Sequence, residues 1–195
     1  MENRIQELIE KIKGLEKELT EEIQKKEEEF TYQIKGRRII FSREVRQRHR
    51  LLVMTIRRFL RQSSLLAILT APVIWACLLP AVLLDLFVSI YHAICFPVYG
   101  IPKVKRGDYI VIDRHALGYL NAIEKLNCVY CGYVNGLLGY SREIAARTEQ
   151  YWCPIKHARK VAAIHGRYRR FLEYGDAENY RRRVEKIRRD FSDLG

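Results

Sequence analysis

The chain has 195 residues, carries 35 Lys and Arg against 23 Asp and Glu for a formal net charge of +12, and is 48% hydrophobic. A surplus of this size implies anionic partners, either nucleic acid or a phosphate-bearing membrane surface. Five cysteines, an odd number with Cys77 and Cys95 in or beside an apolar stretch, argue against a secreted disulfide framework.

Charged residues crowd both ends, and residues 64–98 are almost entirely apolar, so a soluble core has to come from about half the chain and will be small. The first residues are charged and helical in pattern, so no signal peptide is expected there. In residues 1–29, Ile5, Leu8, Ile12, Leu15 and Leu19 recur at steps of three and four, the seam of a short coiled coil weakened by Gly14 and Glu22. Such a helix pairs with a second copy or another protein, folds back on its own chain, or stays a solvated amphipathic helix. Residues 30–41 alternate apolar and polar side chains around Lys35-Gly36 and predict a small β-hairpin, with Tyr109-Ile110-Val111-Ile112-Asp113 as a third strand for it to pack against.

Ser42 is a good N-cap for a basic amphipathic helix over residues 42–63, on which Arg57, Arg58 and Arg61 stand ready for a membrane surface. Residues 64–98 exceed the ~20 apolar residues needed to cross a bilayer. Pro72, Pro80 and Asp85 interrupt them, so a single tilted or kinked span is the first reading and a re-entrant hairpin the second. Lys103, Lys105 and Arg106 follow as surface contacts on the far side, and with basic residues on both flanks the charge bias sets no clear orientation. Cys77, Asp85 and His92 either line a site within the membrane or serve as filler, interfacial pair and headgroup-level side chain.

Residues 99–165 are expected to form a metal-binding helical domain, with helices near 117–126 and 137–152 and another starting at Pro154. Cys128-x2-Cys131 is the spacing of a metal knuckle, and Cys153 and His157 stand four apart as if on one helical face. A helix between the two pairs would return the second to the first and close a Cys3His site. Zinc is its natural occupant and iron the second choice, with a thiol redox pair and no metal at all as alternatives. Glu149 and His115 are second-shell candidates. With four protein ligands engaged no coordination position is left for substrate, which points to a fastening rather than a catalytic centre, and no catalytic residue is assigned. Residues 166–195 form a basic helical tail whose arginines and tyrosines suit lipid phosphate more simply than nucleic acid beside a membrane anchor.

The wording Asn127-Cys128-Val129-Tyr130-Cys131-Gly132-Tyr133, followed by Arg142 to His157, resembles a family of uncharacterised bacterial membrane proteins, over roughly Phe30 to Arg159. The resemblance implies a bacterial membrane setting and no particular activity. The expectation is a mainly α protein of the bacterial inner membrane with a zinc-stapled cytosolic C-terminal domain, a non-enzymatic scaffold, assembly or interaction module. The alternative is a membrane-bound redox or metal-dependent enzyme using the Cys/His centre. No phosphate-binding glycine loop, Gly-x-Ser-x-Gly or His-Glu-x-x-His is present.

Overall fold

A computed structural model describes residues 2–29, 32–35 and 38–194, and the chain is mainly helical. Helix α1 (Glu2–Glu29) runs through Gly14, and Ile12, Leu15, Leu19 and Ile23 on it are exposed. The side chains of Ile5 and Leu8 and the Gly36 turn lie outside the described residues. Strands β1 (Tyr32–Lys35) and β2 (Arg38–Phe41) pair antiparallel with Tyr32 opposite Phe41, as the alternation predicts.

The third strand does not form. Tyr109–Asp113 takes no strand conformation and packs against a helix, where Tyr109 and Ile110 join the core while Val111 and Ile112 stay exposed. The basic helix is also interrupted. Helix α2 (Arg43–Leu51) begins at Ser42, whose hydroxyl accepts from Val45 N–H at 3.3 Å, and α3 (Ile56–Gln62) restarts after an extended Thr55. Val53 and Thr55 are β-branched and favour the extended backbone that separates the two helices.

Helix α4 (Leu65–Ala76) starts on Ser64, which caps Ala67 N–H at 3.1 Å. At Cys77 the chain bends and continues as α5 (Leu78–Tyr99). Pro80 accounts for the bend, because it lacks the N–H that would reach the Ala76 carbonyl and its ring crowds that oxygen. Cys77 keeps right-handed helical dihedrals (φ −65, ψ −12), so the two helices run on as one bent rod and do not fold back on each other. This stretch, Leu65–Tyr99, is the one among the described residues that is long and apolar enough to cross a membrane. Its uncharged part, Leu65 to Leu84, is about 30 Å long at ~1.5 Å per residue, the thickness of a bilayer's hydrocarbon core. Gly100, at φ +66, then ends α5 in the left-handed conformation a non-glycine residue rarely adopts, and Ile101 N–H returns to the Phe96 carbonyl at 2.9 Å.

Where two helices are expected around the cysteine pair there is one, α6 (Ala122–Trp152). Asn121 and Glu124 close a capping box at its start, and Gly132, Gly136 and Gly139 lie within it. Helix α6 runs beside α5 in the same direction, since Asp85 meets Tyr133, His92 meets Tyr140, and Tyr99 meets Tyr151. Two parallel neighbours need a connection that travels back the full length. Residues 100–121 supply it, passing so close to α6 that a Cβ on Gly136 would stand 2.6 Å from the Tyr109 carbonyl oxygen. The core lies between these three layers: Phe96 and Leu137 are fully buried, with Ile101, Val104, Tyr140 and Ile144 around them.

Beyond Trp152 the chain does not enter a helix at Pro154. Cys153 leaves helical geometry, and Leu172 N–H donates to the Pro154 carbonyl at 2.9 Å while Lys156 N–H donates to Leu172 at 2.7 Å. A single turn at Gly166–Arg170 leads to α7 (Ala177–Arg189), which lays Val184 and Ile187 against α6.

Candidate functional site

The four residues expected to hold a metal are spread along the molecule. Cys128 and Cys131 sit in the first half of α6, three apart on one face, whereas Cys153 marks its C-terminal end and His157 follows in the extended segment. From Cys131 to Cys153 the helix rises by about 33 Å at ~1.5 Å per residue, so no single tetrahedral ion reaches both pairs. The Cys3His site is therefore corrected, and zinc or iron bound by all four residues with it. The physical cause is that a continuous helix replaced the turn on which the knuckle depended. Among the described residues no three of His, Cys, Asp and Glu are grouped to hold a metal ion.

The flanking candidates have other occupations. His157 stacks on Tyr168 with ring centroids 6.1 Å apart, and its backbone N–H donates to the Tyr168 hydroxyl at 2.7 Å. Glu149, proposed as support for Cys153, pairs through its carboxylate with His165 Nε2 at 3.0 Å. His115 is exposed in the short turn Arg114–Ala116. All five cysteines are free thiols.

What the structure does gather is a polar network on the inner face of α5. Asp85, Ser89 and His92 follow one another at steps of four and three, which places them on one side of the helix toward α6. Arg106, reaching back from the connection, donates to both Asp85 oxygens, the second at 2.7 Å. Tyr133 donates its hydroxyl to Asp85 Oδ2 at 2.8 Å and Ser89 donates to Oδ1 at 3.2 Å. Arg106, expected as a membrane-surface contact, stays exposed but pairs with α5 and lies over the Tyr140 ring at 5.7 Å. The cost of placing a carboxylate on an apolar helix is offset by this bidentate pair and the two hydroxyls.

One turn along, His92 is buried and its two ring nitrogens are both used. Nε2 accepts from Val104 N–H at 2.9 Å, so the ring proton sits on Nδ1 and is donated to the Tyr140 hydroxyl at 3.2 Å. Burial pushes the Tyr140 phenol above its ordinary pKa, keeping it a neutral partner. This bridges α5, the connection and α6 through one imidazole. Tyr91 and Thr148 add a second link between the helices at 2.9 Å.

A second network ties the C-terminal segment to α6. Gln150 is fully buried, donates to the carbonyls of Ile187 at 2.9 Å and Asp190 at 2.7 Å, and accepts from Arg167 at 2.6 Å. Arg167, only 4% exposed, also pairs with Asp193 at 3.3 Å and lies over Phe191 at 5.0 Å. Burial pulls its guanidinium down from its ordinary value while Asp193 and Glu143 hold it charged. Arg147 spans Glu143 at 2.8 Å and the carbonyl of Pro102 at 2.8 Å, pinning the start of the connection.

These networks hold elements in place. Their ionisable groups are paired with one another or with backbone, which makes them fastenings of the kind the sequence assigned to cysteines. Tyr133, Tyr140, Gln150 and Arg167 escape a reading from sequence because their partners lie 17 to 48 residues away. A clue was present in Asp85, Ser89 and His92, whose helical spacing on an apolar segment marks a face that avoids lipid. The remaining basic candidates, Arg57, Arg58, Arg61, Lys103 and Lys105, are exposed. Comparison with protein-family models, with curated proteins and with solved structures finds no match to this chain.

Proposed function

We propose that this protein is a non-enzymatic scaffold of a bacterial inner membrane, anchored by α4 and α5, with its C-terminal domain in the cytosol and α1 pairing with a second copy. The observation that carries the proposal is the uncovered apolar side of the bent rod. Leu79, Leu83, Leu86, Phe87, Ile90 and Ile94 are exposed on α5, while Asp85, Ser89 and His92 on its other side are turned into the protein. A helix that hides its polar residues and displays its leucines suits hydrocarbon on the displayed side. Free thiols accord with a reducing compartment, and the resemblance noted for residues 127–157 with a bacterial membrane. The exposed seam Ile12, Leu15, Leu19 and Ile23 supports pairing between copies, where it would be covered as in a coiled coil.

The test is fractionation of cells expressing the full chain. The protein is expected in the membrane fraction after alkaline carbonate washing, with exposed Cys153 labelled by an impermeant maleimide only once cells are opened. A chain released by carbonate, or Cys153 labelled from outside, overturns the placement. In the same membranes, Leu15→Cys is expected to form an oxidation-dependent dimer. A monomer under those conditions removes the pairing.

A further inference from the structure

Away from these fastenings, one cavity is lined by charges that no acidic side chain pairs with among the described residues. It measures about 410 Å³ and opens between β2, α2, the stretch after the Arg114–Ala116 turn, and the first turn of α6. Arg46 and Arg50, one turn apart on α2, and Lys125 on α6 contribute three cations, and no acidic side chain lines it. None of the three makes an ion pair or side-chain hydrogen bond among the described residues. The nearby carboxylates are occupied, Glu124 by the Asn121 backbone at 2.8 Å and Glu44 by the Ser42 hydroxyl at 3.2 Å. Asp113 and Arg114, which offset each other in formal charge, line the adjoining cavity of about 350 Å³.

Between the two cavities stands His49, held edge-on by Phe41 and Tyr119 with ring centroids 5.0 Å away on either side. Gly118 makes that fit possible, since a Cβ there would lie 3.1 Å from His49 Cβ. His49 Nδ1 is buried without a hydrogen-bond partner, and so is Nδ2 of Asn121, the N-cap of the helix that carries Lys125. Three cations around one cavity with no acidic side chain in its lining repel one another in an isolated protein. An anion with several oxygens relieves that repulsion, as arginine forks commonly do with phosphate.

The position of the cavity identifies the anion's source. Helix α2 is separated by α3 alone from Leu65, where the apolar rod begins. On the same first two turns of α6, Ile123 and Asn127 line an apolar groove of about 440 Å³ together with Phe59, Ala67, Ile68 and Trp75. A cationic cavity and an apolar groove thus flank one helix end at the level where the chain would leave the headgroups.

We infer that the Arg46, His49, Arg50 and Lys125 cavity binds a phosphate group, the phosphodiester of an anionic phospholipid whose chains lie in the bilayer that Leu65 enters. The phosphate chemistry stands on the cavity alone. The choice of lipid as its source rests on the membrane reading above.

The experiment measures binding to the detergent-purified full chain with three probes: a short-chain phosphatidylglycerol, the phosphatidylcholine of equal chain length, and inorganic phosphate. The phosphatidylglycerol is expected to bind at least about tenfold more tightly than the phosphatidylcholine, and R46Q/R50Q to weaken it by about tenfold or more. K125Q is expected to weaken it by a smaller factor and serves if the double variant does not fold. R43Q/R48Q, which removes equal charge from the same helix outside the cavity, is expected to leave this binding unchanged. Equal affinity of wild type and both cavity variants, or an equal loss in the control, overturns the site. Tighter binding of inorganic phosphate than of phosphatidylglycerol, abolished by R46Q/R50Q, supports the phosphate site and overturns the lipid source. That outcome is separable from failure of the membrane reading, which the carbonate wash reports independently.

Discussion

From Leu65 to Leu84 no side chain is buried, whereas from His92 to Tyr151 the apolar residues of α5, the connection and α6 close into a core that covers Phe96 and Leu137 completely. Both regions are rich in large hydrophobics, so composition does not separate them. What separates them is a set of polar side chains at helical spacing, which gives one region a face that only protein can satisfy. Asp85 and His92 need partners, and those partners, Arg106, Tyr133, Val104 and Tyr140, bring the connection and α6 with them. Leu65 to Leu84 carries no such demand.

The contrast is open to direct attack, most strongly at Arg167. Arg167→Ala leaves buried Gln150 Oε1 without its donor and Asp193 with Arg170 alone, and the expected loss is about 3–5 kcal/mol of the C-terminal domain's stability, read by denaturant unfolding in detergent. In the core itself, Leu137→Ala is expected to cost about 3 kcal/mol, while Leu83→Ala on the uncovered side changes stability by less than about 0.5 kcal/mol. Similar losses for the two leucines would mean that the uncovered side is packed after all.

Gly136→Ala offers a comparison of backbones. The new Cβ meets the Tyr109 carbonyl oxygen at 2.6 Å and Ile110 Cα at 2.8 Å, so the connection has to move, with an expected net loss of about 1–3 kcal/mol. Gly14→Ala, with nothing within 4 Å, instead raises the helicity of α1. Tyr140→Phe deprives the His92 Nδ1 proton of its acceptor and is expected to cost about 1 kcal/mol. The smallest effect is one of acidity. Hydrogen bonds from Asn179 hold the Asp176 carboxyl below its ordinary range, so its cap on α7 is fully present above that range and is lost as pH falls through the lowered value. The Asn179 amide resonance should report this by moving on acidification, and a resonance that stays put removes the cap from the account.

The failed metal site shows what spacing does and does not convey. Cys128-x2-Cys131 is compatible with a knuckle turn and equally with one turn of helix, and the local sequence does not choose between them. Asn121 and Glu124 form a capping box, and the residues after them sustain a helix from Ala122 to Trp152 once its glycines have a backbone to pack against. That backbone belongs to Tyr109–Val111, whose Tyr, Ile and Val favour an extended ladder and a half-buried edge alike. Each segment's conformation is the condition for the other's.

The local patterns that determined their own outcome are those needing no distant partner. Among these are the hairpin at Tyr32–Phe41, the Ser42 cap, the heptad-spaced helix α1, the apolar length of Leu65–Tyr99 and the final helix at Ala177–Arg189. Each depends on hydrophobic period, a capping side chain or length, which act within a few residues. Tertiary structure alone decided the unbroken α6, the parallel course of α5 and α6, the pairing of Arg106 with Asp85 and the separation of the cysteines. The physical reason is that burying Asp85 and His92 requires hydrogen-bond partners from far along the chain, and only the assembled fold determines which ones arrive.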